Sequence, residues 1–274
     1  MGAMWAVAAA VTVARQFGVR STSPSVLADG SNVLVHLRPA PVVARVASLT
    51  ALVRPGVEEW VARDISISSY LASRGIPVVR PSVDPPAGPH HHNGRVLAFF
   101  EYVPHDESYR PAPEVLGRQL AELHDALRGY PGTLPALGPV NDLRRGLDLL
   151  ERHGVAAVDE PRATLEELAP EVDKLPTQAL HGDAHPGNLL AGSDGLVWND
   201  FEDTWRGPPA WDLACLAHSS RLDGWAAVRA YPGAPPLPEI ELCLRLRRLY
   251  AACWELAVKA WGPRRTDEDT GQDT

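Results

Sequence analysis

Near Pro104 the spacing of apolar residues switches from strand-like to helical, and this limits the fold more than any other feature. Before it, short Val- and Leu-rich runs cover Ser21–Leu27, Asn32–Leu37 and Pro41–Leu49, divided by Asp29-Gly30-Ser31 and Arg38-Pro39-Ala40. Such runs between turn formers predict a meander of antiparallel strands. Val57–Ser73 has helical spacing and a stop at Gly75 and Pro77. Arg95–Val103 reads as a further strand, and Pro81–Gly94 as a loop with His90-His91-His92 at a solvated tip. Beyond Pro104 helical spacing recurs in Pro113–Leu127, Pro139–Arg152, Thr164–Glu171, Pro208–Ser219, Gly224–Ala230 and Pro238–Trp261. The runs Gln178–Leu180 and Leu189–Trp198 read as strands between them. The expected class is α+β. A small lobe over residues 1–101 holds an antiparallel sheet and one main helix. A hinge lies near 100–104, a larger, mostly α-helical lobe covers 102–262, and a disordered acidic tail covers 263–274.

Composition excludes several classes of function. The net charge of -8 is the wrong sign for a protein that lives on nucleic-acid phosphates. Cys215, Cys243 and Cys253 are odd in number and show no CxxC spacing, which fits buried thiols in a reducing compartment. The apolar stretch from Ala3 to Ala14 is too short to span a bilayer and has no basic residue before it, so it reads as an amphipathic or buried helix. The expectation is a cytoplasmic protein with no nucleic-acid or membrane partner; monomer and homodimer both stay open. Lys174 and Lys259 are the two lysines among 26 basic residues. Any cation needed in the first half is therefore arginine or histidine.

Chemistry concentrates in His181-Gly182-Asp183-Ala184-His185-Pro186-Gly187-Asn188, a shaped loop between the apolar pairs Ala179-Leu180 and Leu189-Leu190. Asp200 follows twelve residues on. Mg²⁺ takes hard oxygen ligands, few of them from protein, and Asn188 and Asp200 supply an amide oxygen and a carboxylate. Asp183 is then free to orient an attacking hydroxyl and accept its proton. The spacing His-x-Asp-x-x-x-x-Asn is that of a phosphoryl-transfer catalytic loop. Arg45 interrupts the apolar run Val42–Val46, and a cation buried there needs a partner. Asp64 is on the stripe Trp60, Asp64, Ile67, Leu71 of the next helix and can supply it, which gives a pair able to hold nucleotide phosphates. The turn at Gly30 and Ser31 is small enough for its backbone to approach phosphate oxygens.

These residues resemble the aminoglycoside phosphotransferase and choline kinase-like enzymes, a branch of the protein-kinase-like fold. The likeness runs along nearly the whole chain: Leu27–Asn32, Val43-Ala44-Arg45-Val46, Arg63-Asp64, Phe100-Glu101-Tyr102-Val103, Leu116–His124, His181–Asn188, Asp200-Phe201-Glu202-Asp203 and Trp211-Asp212-Leu213-Ala214. It implies a two-lobe kinase that uses ATP (GTP not excluded) and Mg²⁺. The backbone at Glu101 and Val103 would meet adenine, Gly30 and Ser31 would cover the phosphates, and His181 and Asp212 would support the catalytic loop. His185 would touch phosphate or substrate. Arg45 and Asp64 stand where lysine and glutamate are commoner in the family. The implied acceptor is a small hydroxyl compound. Glu202 and Asp203 suit an aminoglycoside or amino sugar, and a choline-, ethanolamine- or homoserine-type substrate is the alternative. Tryptophans such as Trp205, Trp211 and Trp254 suit either stacking on an acceptor or core packing. Two other readings stay open. In one, His181, Asp183 and His185, with the His90–His92 run, bind zinc in a hydrolase; in the other, the fold binds nucleotide without catalysis.

Overall fold

The computed structural model describes residues 3–193 and 195–262, so the expected tail over 263–274 lies outside the described residues. The first part of the chain forms α1 (Met4–Gln16), β1 (Ser25–Asp29), β2 (Asn32–His36), β3 (Val42–Ala47), α2 (Leu49–Val53), α3 (Val57–Ser73), β4 (His90–His92) and β5 (Arg95–Glu101). The strands make one antiparallel sheet in the order β1-β2-β3-β5-β4.

Register decides which side chains share a face. Leu34 pairs with Arg45 and Arg45 with Ala98; Val33 pairs with Val46 and Val46 with Leu97. Cross-strand partners point the same way, so each set occupies one face. The Val33, Val46 and Leu97 face packs on α1, whose buried side is mostly alanine (Ala6, Ala9, Ala10, Val13, Ala14) and so lets the helix approach closely. The opposite face carries Arg45 and turns toward α3 and the rest of the chain. Helix α3 buries Trp60, Val61, Asp64, Ile67, Ser68 and Leu71, the stripe expected from its spacing.

The remainder is largely helical: α4 (Pro113–Leu127), α5 (Gly138–Arg152), α6 (Asp159–Asp173), β6 (Gln178–Ala179), a 3₁₀ turn (Pro186–Asn188), β7 (Leu189–Gly192), β8 (Gly195–Trp198), β9 (Arg206–Gly207), α7 (Pro209–His218), α8 (Gly224–Ala230) and α9 (Leu237–Trp261). Leu116, Leu120, Leu123 and Leu127 of α4 are fully buried at a 4-3-4 spacing. Each contributes about 1.5–3 kcal/mol of apolar burial. Helix α9 lies across α5, α6 and α7. Among the described residues no helix is long and apolar enough to cross a membrane.

Three details differ from the sequence expectation. His90–His92, expected as a loop tip, is a strand that caps the open edge of β5, with His91 opposite Val96. Alternation places His91 on the other face from His90 and His92, so the three rings do not converge on a metal. The run Leu189–Trp198 is not one strand but a hairpin, with Leu189 opposite Trp198 and Gly192 opposite Gly195. The expected strand Pro41–Leu49 ends at Ala47, and Leu49–Val53 turns into the short helix α2. Nothing in that Val- and Leu-rich composition separates strand from helix, since a short apolar run fits both.

Candidate active site

The loop from His181 to Asn188 joins β6 to β7 and is held from below. Asp212, in the first turn of α7 and fully buried, accepts the backbone N–H groups of His181 (2.8 Å) and Gly182 (2.9 Å). It also accepts Nε2–H of His124 (2.8 Å), and the other nitrogen of that ring meets the Tyr231 hydroxyl at 2.9 Å. Trp211 Nε1–H donates to the Gly182 carbonyl at 2.6 Å. Gly182 has φ 93°, and a Cβ there would sit 2.0 Å from the Asp203 carbonyl oxygen, so only glycine fits. His181 is buried and neutral: desolvation lowers its pKa, its Nε2–H donates to Asn199 O (3.0 Å), and its Nδ1 accepts from Asp183 N–H (3.3 Å).

Asp183 projects from this frame. Its Oδ1 lies 2.8 Å from Arg247 Nη2, and its Oδ2 is 3.3 Å from His185 Nε2. The Nδ1 of His185 accepts from Gly187 N–H (2.9 Å), which leaves the proton on the nitrogen facing Asp183. Burial alone would raise the Asp183 carboxyl, but Arg247, with the hydrogen bond from His185, holds it well below the usual carboxylate range. Asn188 donates its Nδ2 to the Asp183 carbonyl (2.9 Å) and, at 3.4 Å, to Oδ2. Its amide oxygen is thereby turned away from Asp183 and kept for another partner.

Arg45 gathers the second cluster. Its Nη1 meets Asp64 Oδ2 at 2.6 Å, and its Nη2 meets Asp200 Oδ1 at 2.7 Å and Glu202 Oε1 at 2.8 Å. Asp64 also accepts Phe201 N–H (3.1 Å), so α3 and the segment after β8 are tied through one carboxylate. One guanidinium here serves three acids. Burial, together with the charges of Asp200 and Glu202, pushes the Asp64 carboxyl up to about 6 against the pull of Arg45. Asp200 has φ 66°, a left-handed backbone that costs an aspartate little, and such positions gather at functional sites.

The sequence reading missed Arg54. This residue follows α2, is 4% exposed, and lies over the Trp60 ring at 4.0 Å. It contacts Asp203 Oδ1 (2.5 Å), Tyr250 Oη (3.1 Å), Glu202 Oε1 (3.2 Å) and Asp142 Oδ2 (3.3 Å). The signal available in the sequence is a lone arginine at the end of the apolar run Leu49–Val53, just before Pro55-Gly56. Arg247 was missed as well, because α9 offers several arginines and no motif singles one out.

Gly30 and Ser31 form the β1–β2 turn. Ser48 Oγ donates to both of their carbonyls (3.2 and 3.1 Å), and Thr50 N–H donates to Ser31 O (3.0 Å). At the other end of the sheet, Glu101 N–H donates to Arg80 O (2.9 Å), and His105 Nδ1 donates to Val103 O (2.8 Å). Val103 packs on the same buried cluster (Val61, Val79, Val96, Ala98 and Phe100) as Leu190 and Val197 of the β7–β8 hairpin, which places it where the sheet meets that hairpin.

A cavity of about 380 Å³ opens beside Asp183 and Asp200. Ser31 reaches its rim, Glu202 and Asp203 line one wall, and Trp60, Trp205, Trp211, Tyr250 and Trp254 form much of the rest. Fitness for a divalent ion rests on donor chemistry. Asn188 and Asp200 offer hard oxygens, and the described residues hold no cluster of three His, Cys, Asp or Glu ligands. That suits a cation such as Mg²⁺, which keeps waters and takes further oxygens from phosphates, and does not suit structural zinc.

A small antiparallel sheet set over a helical region, with an HxDxxxxN loop and a following aspartate where they meet, defines the protein-kinase-like fold. Residues 23–238 match the model of the phosphotransferase enzyme family APH, and the chain belongs to that family. The amicoumacin kinase hAmiN, solved with AMP-PNP, Ca²⁺ and Ami, is similar at TM-score 0.69 and 14% identity, over 94% of this chain and 88% of that one. Choline kinase LicA from Streptococcus pneumoniae is similar at TM-score 0.67 and 14% identity, over 93% and 92%. Aminoglycoside phosphotransferase APH(3'')-Id from Streptomyces rimosus is similar at 0.61 and 16%, over 89% and 98%. No curated sequence matches the chain significantly.

Proposed function

We propose that the protein transfers the γ-phosphoryl group of ATP to a hydroxyl of a small molecule seated in the tryptophan-lined cavity. One observation carries this reading: Asp183 and Asp200 open onto the same cavity, and Asn188 is hydrogen-bonded to Asp183. In this reading residues 1–101 form the nucleotide lobe and 102–262 the catalytic lobe, joined near 100–104. Arg45, oriented by Asp64, contacts the phosphates, Gly30 and Ser31 cover them, and the backbone at Glu101 and Val103 meets the base. Asn188 and Asp200 hold Mg²⁺, which when bound would neutralise charge developing on the phosphate oxygens.

Asp183 accepts the proton of the acceptor hydroxyl as its oxygen bonds to the γ-phosphorus. The bond to the bridging oxygen breaks, and ADP leaves with that electron pair. His185 donates its Nε2–H toward the same spot and steadies Asp183 or a phosphate oxygen. Asp212 and His181 keep the loop in place and take no part in the proton transfer. The expectation of an aminoglycoside or amino sugar drew on Glu202 and Asp203. Both carboxyl groups are engaged by arginine here, and burial pushes that of Asp203 up to about 8, so that acceptor class now rests on family likeness. A choline-, ethanolamine- or homoserine-type acceptor rests on the same likeness.

The test is Mg-ATP turnover on a panel of aminoglycosides, sugars, amino alcohols and hydroxy acids, with Asp183→Asn as control. Turnover falls by roughly 10²–10⁴ when a positioned base is lost, while nucleotide affinity stays within about twofold. An Asp183→Asn enzyme with wild-type kcat would remove Asp183 from this role.

A further inference from the structure

Helix α2 is short, yet it bridges two parts of the cavity. Its start holds the β1–β2 turn. Ser48 Oγ donates to the carbonyls of Gly30 (3.2 Å) and Ser31 (3.1 Å), Thr50 N–H donates to Ser31 O (3.0 Å), and Thr50 Oγ1 donates to Asn32 Oδ1 (2.5 Å). In a trans peptide the N–H points opposite to the C=O. With the Gly30 carbonyl held by Ser48, the Ser31 N–H is turned away from that contact. A turn that meets phosphate has to present N–H groups and keep its carbonyl oxygens aside. Ser31 lines the same cavity as Asp183 and Asp200.

The far end of α2 is tied to residues beyond 104. Leu49 and Val53 are buried with Leu149 of α5 and Ala257 of α9. Arg54 follows directly, and its contacts to Asp142, Glu202, Asp203 and Tyr250 all reach that later part of the chain. Its guanidinium lies 4.0 Å from the Trp60 ring and 5.5 Å from that of Trp254. Three carboxylates share this one charge. Asp142 also pairs with Arg145 and Glu202 with Arg45, but among the described residues Asp203 has no other cation within ion-pair distance. Helix α2 therefore cannot leave this wall without stripping Asp203 of its cation. The two ends of α2 are joined as well, since Arg54 N–H donates to Thr50 O (2.9 Å).

We infer that Arg54 is a positioning residue for the nucleotide: by pinning α2 to the cavity wall it holds the Gly30-Ser31 turn in the form that binds phosphate. It acts through α2 and not by contact with the nucleotide. This deepens the kinase reading of the same site and rests on it for the place of the phosphates, but not for turnover. Wall and turn then shift as a unit, and a change at the wall is felt by the phosphates and not by the base.

The experiment uses the full chain and compares Mg·AMP-PNP with adenosine by titration calorimetry. Adenosine has no phosphates and reports the base site alone. Arg54→Met keeps an apolar stem beside Trp60 and Trp254 and removes the charge. It weakens AMP-PNP by at least ~10-fold, the scale of one lost hydrogen bond to a charged group, and leaves adenosine within about twofold. Ser48→Ala loosens the turn directly and weakens AMP-PNP in the same selective way. The double variant loses less than the product of the two single losses, because both act on one turn. Should Arg54→Met not fold by circular dichroism, Arg54→Lys takes its place, since it keeps the charge but reaches fewer of the four partners; its selective loss is at least about threefold. A folded Arg54 variant that binds AMP-PNP as the wild type does overturns the inference. So does an equal loss of adenosine, or single losses that multiply in full. Selective loss of AMP-PNP, with no wild-type turnover across the acceptor panel, would count against phosphoryl transfer and leave the role of Arg54 standing. Wild-type turnover with AMP-PNP binding unmoved in the variants would do the opposite. A wild-type protein that binds no AMP-PNP overturns both.

Discussion

Asp212→Ala is the perturbation whose cost the structure defines most directly. The side chain is fully buried and accepts from His181 N, Gly182 N and His124 Nε2 at 2.8, 2.9 and 2.8 Å. Alanine leaves two buried backbone N–H groups and one ring N–H without an acceptor. Each orphaned backbone donor costs about 1–3 kcal/mol, and relief from burying a charge offsets part of this, so a net loss of about 2–5 kcal/mol is expected. For a chain of this size that lowers Tm by roughly 4–20 °C. Asp212→Asn keeps one acceptor oxygen but sets an NH₂ group against the second N–H, and falls between wild type and alanine. The loop that Asp212 braces carries Asp183, and a displacement of about 1 Å at a reacting group costs on the order of 10² in rate. Thermal melts by circular dichroism and Mg-ATP turnover read the two effects separately. An alanine variant melting within about 1 °C of wild type, with kcat within twofold, would refute the claim that this carboxylate supports the loop.

Two further outcomes follow from the electrostatics. Arg247→Met removes the strongest pull holding the Asp183 carboxyl down, so burial then raises it, and the acid limb of the kcat/KM–pH profile moves to higher pH; an unmoved limb would dissociate Arg247 from Asp183. Asp64 has a native pKa near 6, above its unfolded value, so its stabilising contribution is present at low pH and is lost as pH rises through about 6. Urea unfolding from pH 4.5 to 7.5 should therefore show that Asp64→Asn removes a slope of up to about 1.4 kcal/mol per pH unit; identical slopes in the two proteins would contradict the shift.

Local patterns made part of this architecture legible. The stripe Trp60, Asp64, Ile67, Leu71 declares both a helix and its inward face, because a 3.6-residue period leaves no other face for the acid. His181–Asn188 declares a loop because Gly182, Pro186 and Gly187 deny it regular structure. What stayed hidden depends on contacts made across the whole chain. Arg54 meets Glu202 from 148 positions away, and no spacing rule links α2 to the segment after β8. His90–His92 shows the same limit: three histidines carry little strand propensity, and the free edge of β5 decides their conformation.

That position 45 carries arginine and not lysine has a structural consequence that composition alone hides. A lysine presents one point charge. Arg45 instead divides its fork, with Nη1 on Asp64 and Nη2 shared by Asp200 and Glu202. The Asp200 carboxylate is thereby held by the same side chain proposed to meet the phosphates. Under the proposed function, nucleotide and divalent ion would act on one network: phosphate oxygens that drew Nη2 away would release Asp200 for the ion, and an ion on Asp200 would free Nη2 for phosphate. The two ligands would then favour each other's binding, since each would remove the contact that opposes the other.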